Sequence, residues 1–182
     1  MSEHTLSRSL HDLGLAAWFG GTLANATALN AAAAEADSPS KVGAVANVGW
    51  DRWTPVNAAA IGAHVLGSIG MLSTDLGRVS TQRGVARTVA LKTGLTVAAL
   101  GATAYSRSLG QRVSQQTEVP AASGTEPAAG TPKQVANAQR QLTVLQWVIP
   151  ALTGALVVVS SHAGEQQRPE NVLEGLLARA RG

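Results

Sequence analysis

Charged side chains in this chain are spaced so that long stretches carry none. Residues 13–34 lie between Asp12 and Glu35 without a charge, residues 53–74 form a second gap, and residues 141–164 a third. Each is close to the roughly 20 residues that a helix needs to cross a bilayer. Residues 88–106 make a fourth stretch, broken only by Lys92 near one end, where a long side chain can reach the headgroup level.

A soluble helical bundle would place Glu, Lys and Arg along the outward face of each helix. These segments lack charge all round, and 182 residues cannot bury four such helices in a water-soluble core. Only 14% of the residues are charged, against about 25% in soluble domains. The expected fold is therefore all-α: an integral membrane four-helix bundle, a single domain over residues 1–182, with spans at about 13–34, 54–74, 88–106 and 141–164.

Orientation follows from the connections. The short segment 75–87 carries Arg78, Arg83 and Arg87, and short basic loops stay cytoplasmic. That predicts both termini inside (N-in/C-in) in a bacterial plasma membrane. Glu3 and Asp12 interrupt the start of the chain, so it does not read as a cleavable signal. Trp50, Trp53, Tyr105 and Trp147 fall near one membrane face, as an aromatic belt would.

Between the spans, residues 35–52 read as a segment lying along the membrane surface, with a short helix at 42–48. Residues 119–132, rich in Pro, Ala, Gly, Ser and Thr, read as a flexible linker. Residues 133–140 extend the fourth helix, and Pro150 is expected to bend it. Near the C-terminus, Pro169 suits a first helical turn. Val172, Leu173, Leu176, Leu177 and Ala180 then share a face, which predicts a short amphipathic surface helix over 169–181. Small residues recur at four-residue spacing and predict close helix packing through Gly20, Ala24, Ala63, Gly67, Gly94 and Ala98.

Chemistry is sparse. The chain has no cysteine, which removes disulfides and thiolate sites. Its net charge of +3 is not gathered into a basic patch with stacking aromatics, which argues against nucleic-acid binding. No Gly-rich phosphate loop, serine elbow or HExxH motif is present, and no span interior holds a carboxylate, so no enzyme is expected. His64 sits near the middle of the second span, where an ionisable residue is a functional candidate: a haem or metal ligand, or a proton relay. The alternative is a neutral imidazole bonded across a helix interface to Asn25, Asn57 or a backbone carbonyl. No other histidine is expected at its depth, because His4 lies in the arm, His11 opens the first span and His162 closes the fourth. His11 and His162, with Asp12, Glu165 and Lys92 nearby, are a candidate divalent-metal pair. A plain polar rim is the simpler account. Asn25, Asn30 and Asn57 either line a polar path or tie the helices together.

The run Leu10-His11-Asp12-Leu13-Gly14-Leu15-Ala16-Ala17-Trp18-Phe19-Gly20-Gly21 resembles the opening of the first span in copper-resistance D-like proteins and in a domain family related to transmembrane protein 205. Copper handling goes with Met and His clusters, and with only Met1 and Met71 no copper site is carried over. Gln146-Trp147-Val148-Ile149-Pro150-Ala151-Leu152-Thr153-Gly154 and Gly164-Glu165-Gln166-Gln167-Arg168 resemble four-span membrane proteins of actinobacteria, a likeness over most of the chain that implies no activity.

The resulting functional expectation is a non-enzymatic accessory or scaffolding subunit, packing against other membrane proteins or a second copy of itself, without a cofactor. The alternative is a carrier or channel for a small solute or metal ion using His64, Asn25 and Asn57. A haem- or quinone-binding subunit is the third reading.

Overall fold

A computed structural model describes residues 3–81, 83–116 and 119–165. Every long element in it is a helix. α1 (Glu3–Ala24) runs through a π-helical turn (Asn25–Leu29) into the short α2 (Asn30–Ala34), so these three form one interrupted rod. α3 (Pro39–Thr81), α4 (Arg83–Ser114) and α5 (Lys133–Glu165) complete a set of four rods. The surface helix expected at 169–181 lies outside the described residues.

The rods alternate in direction. Along α1 and α3, close approaches descend from Ser7 at Gly70, through His11 at Gly67, to Leu29 at Gly49. α4 and α5 pair the same way, with Tyr105 bonded to Gln141 and Ala99 packed near Leu152. α1 also packs on α5 and α3 on α4, closing a ring of four. Trp18, Ala60 and Ala99 meet at its centre.

Among the described residues, Pro39–Ser73, Gly84–Ser114 and Lys133–Gly164 are each long and apolar enough to cross a membrane. Their outer faces are apolar as well: Leu66 is 65% exposed, Val97 62% and Val158 69%. Helices that are long, apolar and expose large apolar side chains in this way suit contact with lipid. The architecture is that of a helical membrane protein. The rod that contains 13–34 is not among the three.

Three expectations about the connections are corrected. Residues 39–52 are not a segment along the surface; they are the first turns of α3, which begins on Pro39, a position that tolerates the missing N–H. Val42 and Ala46, one turn apart, turn inward against Ala33 and Ala121. Residues 75–87 are not a loop, since α3 continues to Thr81 and α4 starts at Arg83. Residues 119–132 fold into a packed cap: the Ala121 N–H donates to the Pro39 carbonyl, the Gly124 N–H to the Asn30 carbonyl, and Ala121 bridges to Pro127. Gly130 takes a positive φ of 88° to turn the chain into α5.

The packing glycines are corrected too. Gly20 and Gly94 have open space beside them, and Ala24 and Ala98 face outward. Ala63 is half-buried, while Gly67 is buried against the backbone of His11 and Ser7. Gly14, on the same seam, meets the backbone of Ala60 and His64, and Gly21 meets the Trp53 ring. Small residues repeat on several faces of these Ala-rich helices, and only contact with a partner helix selects one.

A side chain at Gly67 must push α1 off α3. Gly67→Leu is expected to destabilise the bundle by about 3 kcal/mol in detergent unfolding, the upper range for overpacking. Gly94→Leu should stay within about 0.5 kcal/mol, as an outward site does. Equal effects from the two would contradict the seam.

Candidate functional site

The α1–α3 seam puts His11 on His64. Their ring centroids lie 4.6 Å apart at 47°, and Trp18 stands 6.1 Å from His64. His11 is 1% exposed and His64 0%. The expectation that no histidine shares the depth of His64 is thus corrected: α3 starts about four turns earlier than the charge gaps suggest, which slides its middle down to the first turns of α1.

The bonding of His64 fits a neutral ring. Its Nδ1 lies 3.4 Å from the His11 carbonyl, which can only accept, and its Nε2 lies 3.4 Å from the Thr96 hydroxyl, which can donate. The backbone-carbonyl alternative is therefore the arrangement seen. His11 donates from Nδ1 to Asp12 at 2.7 Å, leaving its buried Nε2 without a partner. A haem bound by both rings would need this stack to open. Among the described residues no three His, Asp or Glu side chains converge as a metal-holding group. The neighbour that His11 finds is His64 rather than His162, which is exposed near the end of α5.

Toward the capped end the interior stays polar. The π turn closes from the Asn30 N–H to the Asn25 carbonyl. An i→i+5 turn brings residues five apart toward one face, whereas an α-helix of 3.6 residues per turn would separate them by about 140°. Asn25 and Asn30 are consequently both buried. Asn30 is fully engaged: it donates to Gln146 Oε1 at 2.9 Å and accepts from Trp50 Nε1 at 3.1 Å. Thr125 of the cap donates to the same Gln146 oxygen at 3.4 Å, and Thr143 donates to the Thr125 carbonyl at 2.7 Å. Gly124 lies so close to Asn30 that any side chain there would strike it.

Beneath this cap is a chamber of about 300 Å³ between α1, α3, α4 and α5. Trp53, Asn57 and Thr103 line it, and Trp53 Nε1, Asn57 Oδ1 and Thr103 Oγ1 are buried without hydrogen-bond partners. At its side Arg107 pairs with Asp51 at 3.1 Å, tying α4 to α3. Asn25 Nδ2, on the π turn toward the capped end, and Trp18 Nε1, deeper in the bundle, are buried and unpartnered as well.

Sequence reasoning singled out Asn57, read Trp53 only as part of an aromatic belt, and passed over Thr103. The spacing of Trp53 and Asn57, four apart on one helical face, was the available signal. Thr103, one hydroxyl among many on α4, carried none.

Comparison of the chain with protein-family models, with curated proteins and with solved structures gives no match.

Asn30 holds the cap through its side chain and its carbonyl. Asn30→Leu strands the Trp50 and Gln146 groups and is expected to cost about 1–3 kcal/mol. Proteolytic cleavage within 119–132 should accelerate accordingly, whereas the exposed Asn137→Leu should leave it unchanged. A cap equally resistant in both variants would show that these bonds do not hold it.

Proposed function

We propose that this protein is a four-span carrier of the bacterial plasma membrane that takes up a small uncharged polar solute in the capped chamber. The observation that carries the reading is a cavity lined by Trp53, Asn57 and Thr103, each of which also holds a buried polar atom without a hydrogen-bond partner. A buried polar atom left unsatisfied costs about 1–3 kcal/mol, so side-chain turns that bring these groups onto a bound polar solute would recover that cost. The chamber volume of about 300 Å³ lies at the lower end of the range of small-molecule sites. Indole, amide and hydroxyl groups line the cavity, and its one charged lining residue, Arg107, is paired with Asp51, so the lining suits a neutral molecule that both donates and accepts.

His64 continues the polar lining inward, and Asn25 continues it toward the cap. The fourth span in this reading is the rod containing 13–34, whose π turn ends the regular α-helix at Ala24 while its outer residue Leu13 stays 72% exposed. The basic residues Arg78, Arg83 and Arg87 support an orientation with the α3–α4 junction and both termini in the cytoplasm and the capped chamber toward the outside.

A second reading, the accessory or scaffolding subunit, is favoured by the small residues that face outward. Gly20, Ala24, Gly94 and Ala98 offer flat surfaces on which another helix can settle. Stoichiometric membrane partners in a native purification would support it.

The carrier reading is tested by stopped-flow light scattering of proteoliposomes with glycerol and urea as probes. Wild-type protein should pass at least one probe faster than protein-free liposomes. Trp53→Phe, which keeps the ring and removes the donor, and Asn57→Leu should each slow that flux about tenfold, the equivalent of one hydrogen bond. Flux no faster than in protein-free liposomes for both probes would sink the reading.

A further inference from the structure

We infer that Gln146 recognises the solute by a carbonyl oxygen, donating to it from Nε2, so that the chamber prefers small neutral carbonyl compounds to polyols. The inference rests on the chamber proposed above as the solute site, and names the chemistry that fills it.

The assignment begins at Trp50. An indole nitrogen can only donate, and Trp50 Nε1 donates to Asn30 Oδ1 at 3.1 Å. The other atom of that amide, Asn30 Nδ2, is therefore a donor, and it reaches Gln146 at 2.9 Å. The Gln146 atom that receives it must be the oxygen. Which way the Gln146 amide faces thus follows from the chemistry of an indole two bonds away. Thr125 Oγ1 donates to the same oxygen at 3.4 Å, so both lone pairs of Gln146 Oε1 are engaged.

Gln146 Nε2 is left over. It has no hydrogen-bond partner among the described residues. Unlike Trp53 Nε1, Asn57 Oδ1 and Thr103 Oγ1, it is not a buried atom and keeps accessible surface. Gln146 shares the inward face of α5 with the buried Gln139, Ile149 and Thr153, and it borders the chamber, so its free N–H groups open there. A site with a spare donor and no spare acceptor discriminates between solutes. A carbonyl oxygen accepts from Nε2 and brings no proton of its own. A hydroxyl that accepts there still carries a proton, for which Oε1 has no lone pair left. A carboxylate would accept as well, but the one charged residue of the lining, Arg107, is already paired with Asp51. An ion there would go uncompensated, which selects for a neutral carbonyl compound such as an amide, a urea or a ketone.

The test is nuclear magnetic resonance of the full chain in detergent micelles, labelled with nitrogen-15 in its glutamine side chains. The Gln146 resonances are identified by their loss in Gln146→Met or in Gln146→Glu. Urea and acetone, which share only a carbonyl group, should each move the Gln146 amide protons downfield. Glycerol at the same concentration should leave them in place. In proteoliposomes, Gln146→Met should slow urea about tenfold, the equivalent of one hydrogen bond, and leave glycerol within about twofold. Unchanged Trp fluorescence reports that the variant is folded, and the resonances of the wild-type protein decide the matter if it is not. A glycerol shift as large as that of urea, or a shift with urea and none with acetone, would overturn the proposal. So would urea flux that is unchanged in the folded Gln146→Met protein. Urea and acetone binding at Gln146 without solute flux overturns the carrier reading alone, and urea flux past an unmoved Gln146 amide overturns this one alone.

Discussion

The backbone-to-backbone approach of α1 and α3 at Gly14 and Gly67 is the contact on which the rest of the interior depends. In lipid, apolar side chains gain little by leaving one hydrocarbon surface for another, so helices associate where their backbones can come close. Gly14 meets Ala60 and His64, Gly67 meets His11 and Ser7, and Gly21 receives the Trp53 ring, all along one seam. These three contacts fix the register of the hairpin. The register in turn stacks His11 on His64 and sets Trp53 and Asn57 along the wall that α4 completes with Thr103.

The buried polar groups divide into two kinds. Around Asn30 they are saturated: Trp50, Gln146, Thr125 and the Gly124 backbone exchange bonds until the Asn30 side-chain oxygen and nitrogen both have partners. Saturation of that kind specifies one arrangement of chain and is a structural device. Around the chamber and on either side of it, Trp53, Asn57, Thr103, Asn25 and Trp18 each keep one unpartnered atom. The same bundle thus spends hydrogen bonds where it closes and withholds them where it is hollow. That contrast between neighbouring sites, rather than polarity as such, is what separates a tie between helices from a place for a ligand.

The helical, membrane-like character of the chain was legible because charge is excluded from long stretches, a signal that survives any rearrangement of the helices. The helix ends were not. Lys41, Asp51 and Arg52 close a span when read as isolated charges. In the structure Lys41 pairs with Asp37, and Asp51 with Arg107 on the next helix, so neither stops α3. Burial of the 119–132 cap was hidden for a related reason. Its composition is that of a linker, and what orders it is Asn30 and Gln146, more than twenty residues from Gly124 on the one hand and at the middle of α5 on the other. The π turn left no trace, since a residue spacing of five between Asn25 and Asn30 places them on different faces of any ordinary helix. Among the small residues, Gly67 and Gly94 look alike in sequence, and only the partner opposite Gly67 distinguishes them.

Between the capped chamber and the opposite end of the bundle stands the apolar layer of Trp18, Ala60 and Ala99, with Ile61, Leu100 and Leu152 packed against it. Leu100 borders both the chamber and an apolar groove between α3 and α4, so this one side chain stands between the two. A solute held at Trp53 and Asn57 cannot pass that layer while α4 keeps its place on α3. The seam that would have to yield is also the least closely packed in the ring, tied at its capped side by Arg107 and Asp51 and at its centre by Thr96 and His64.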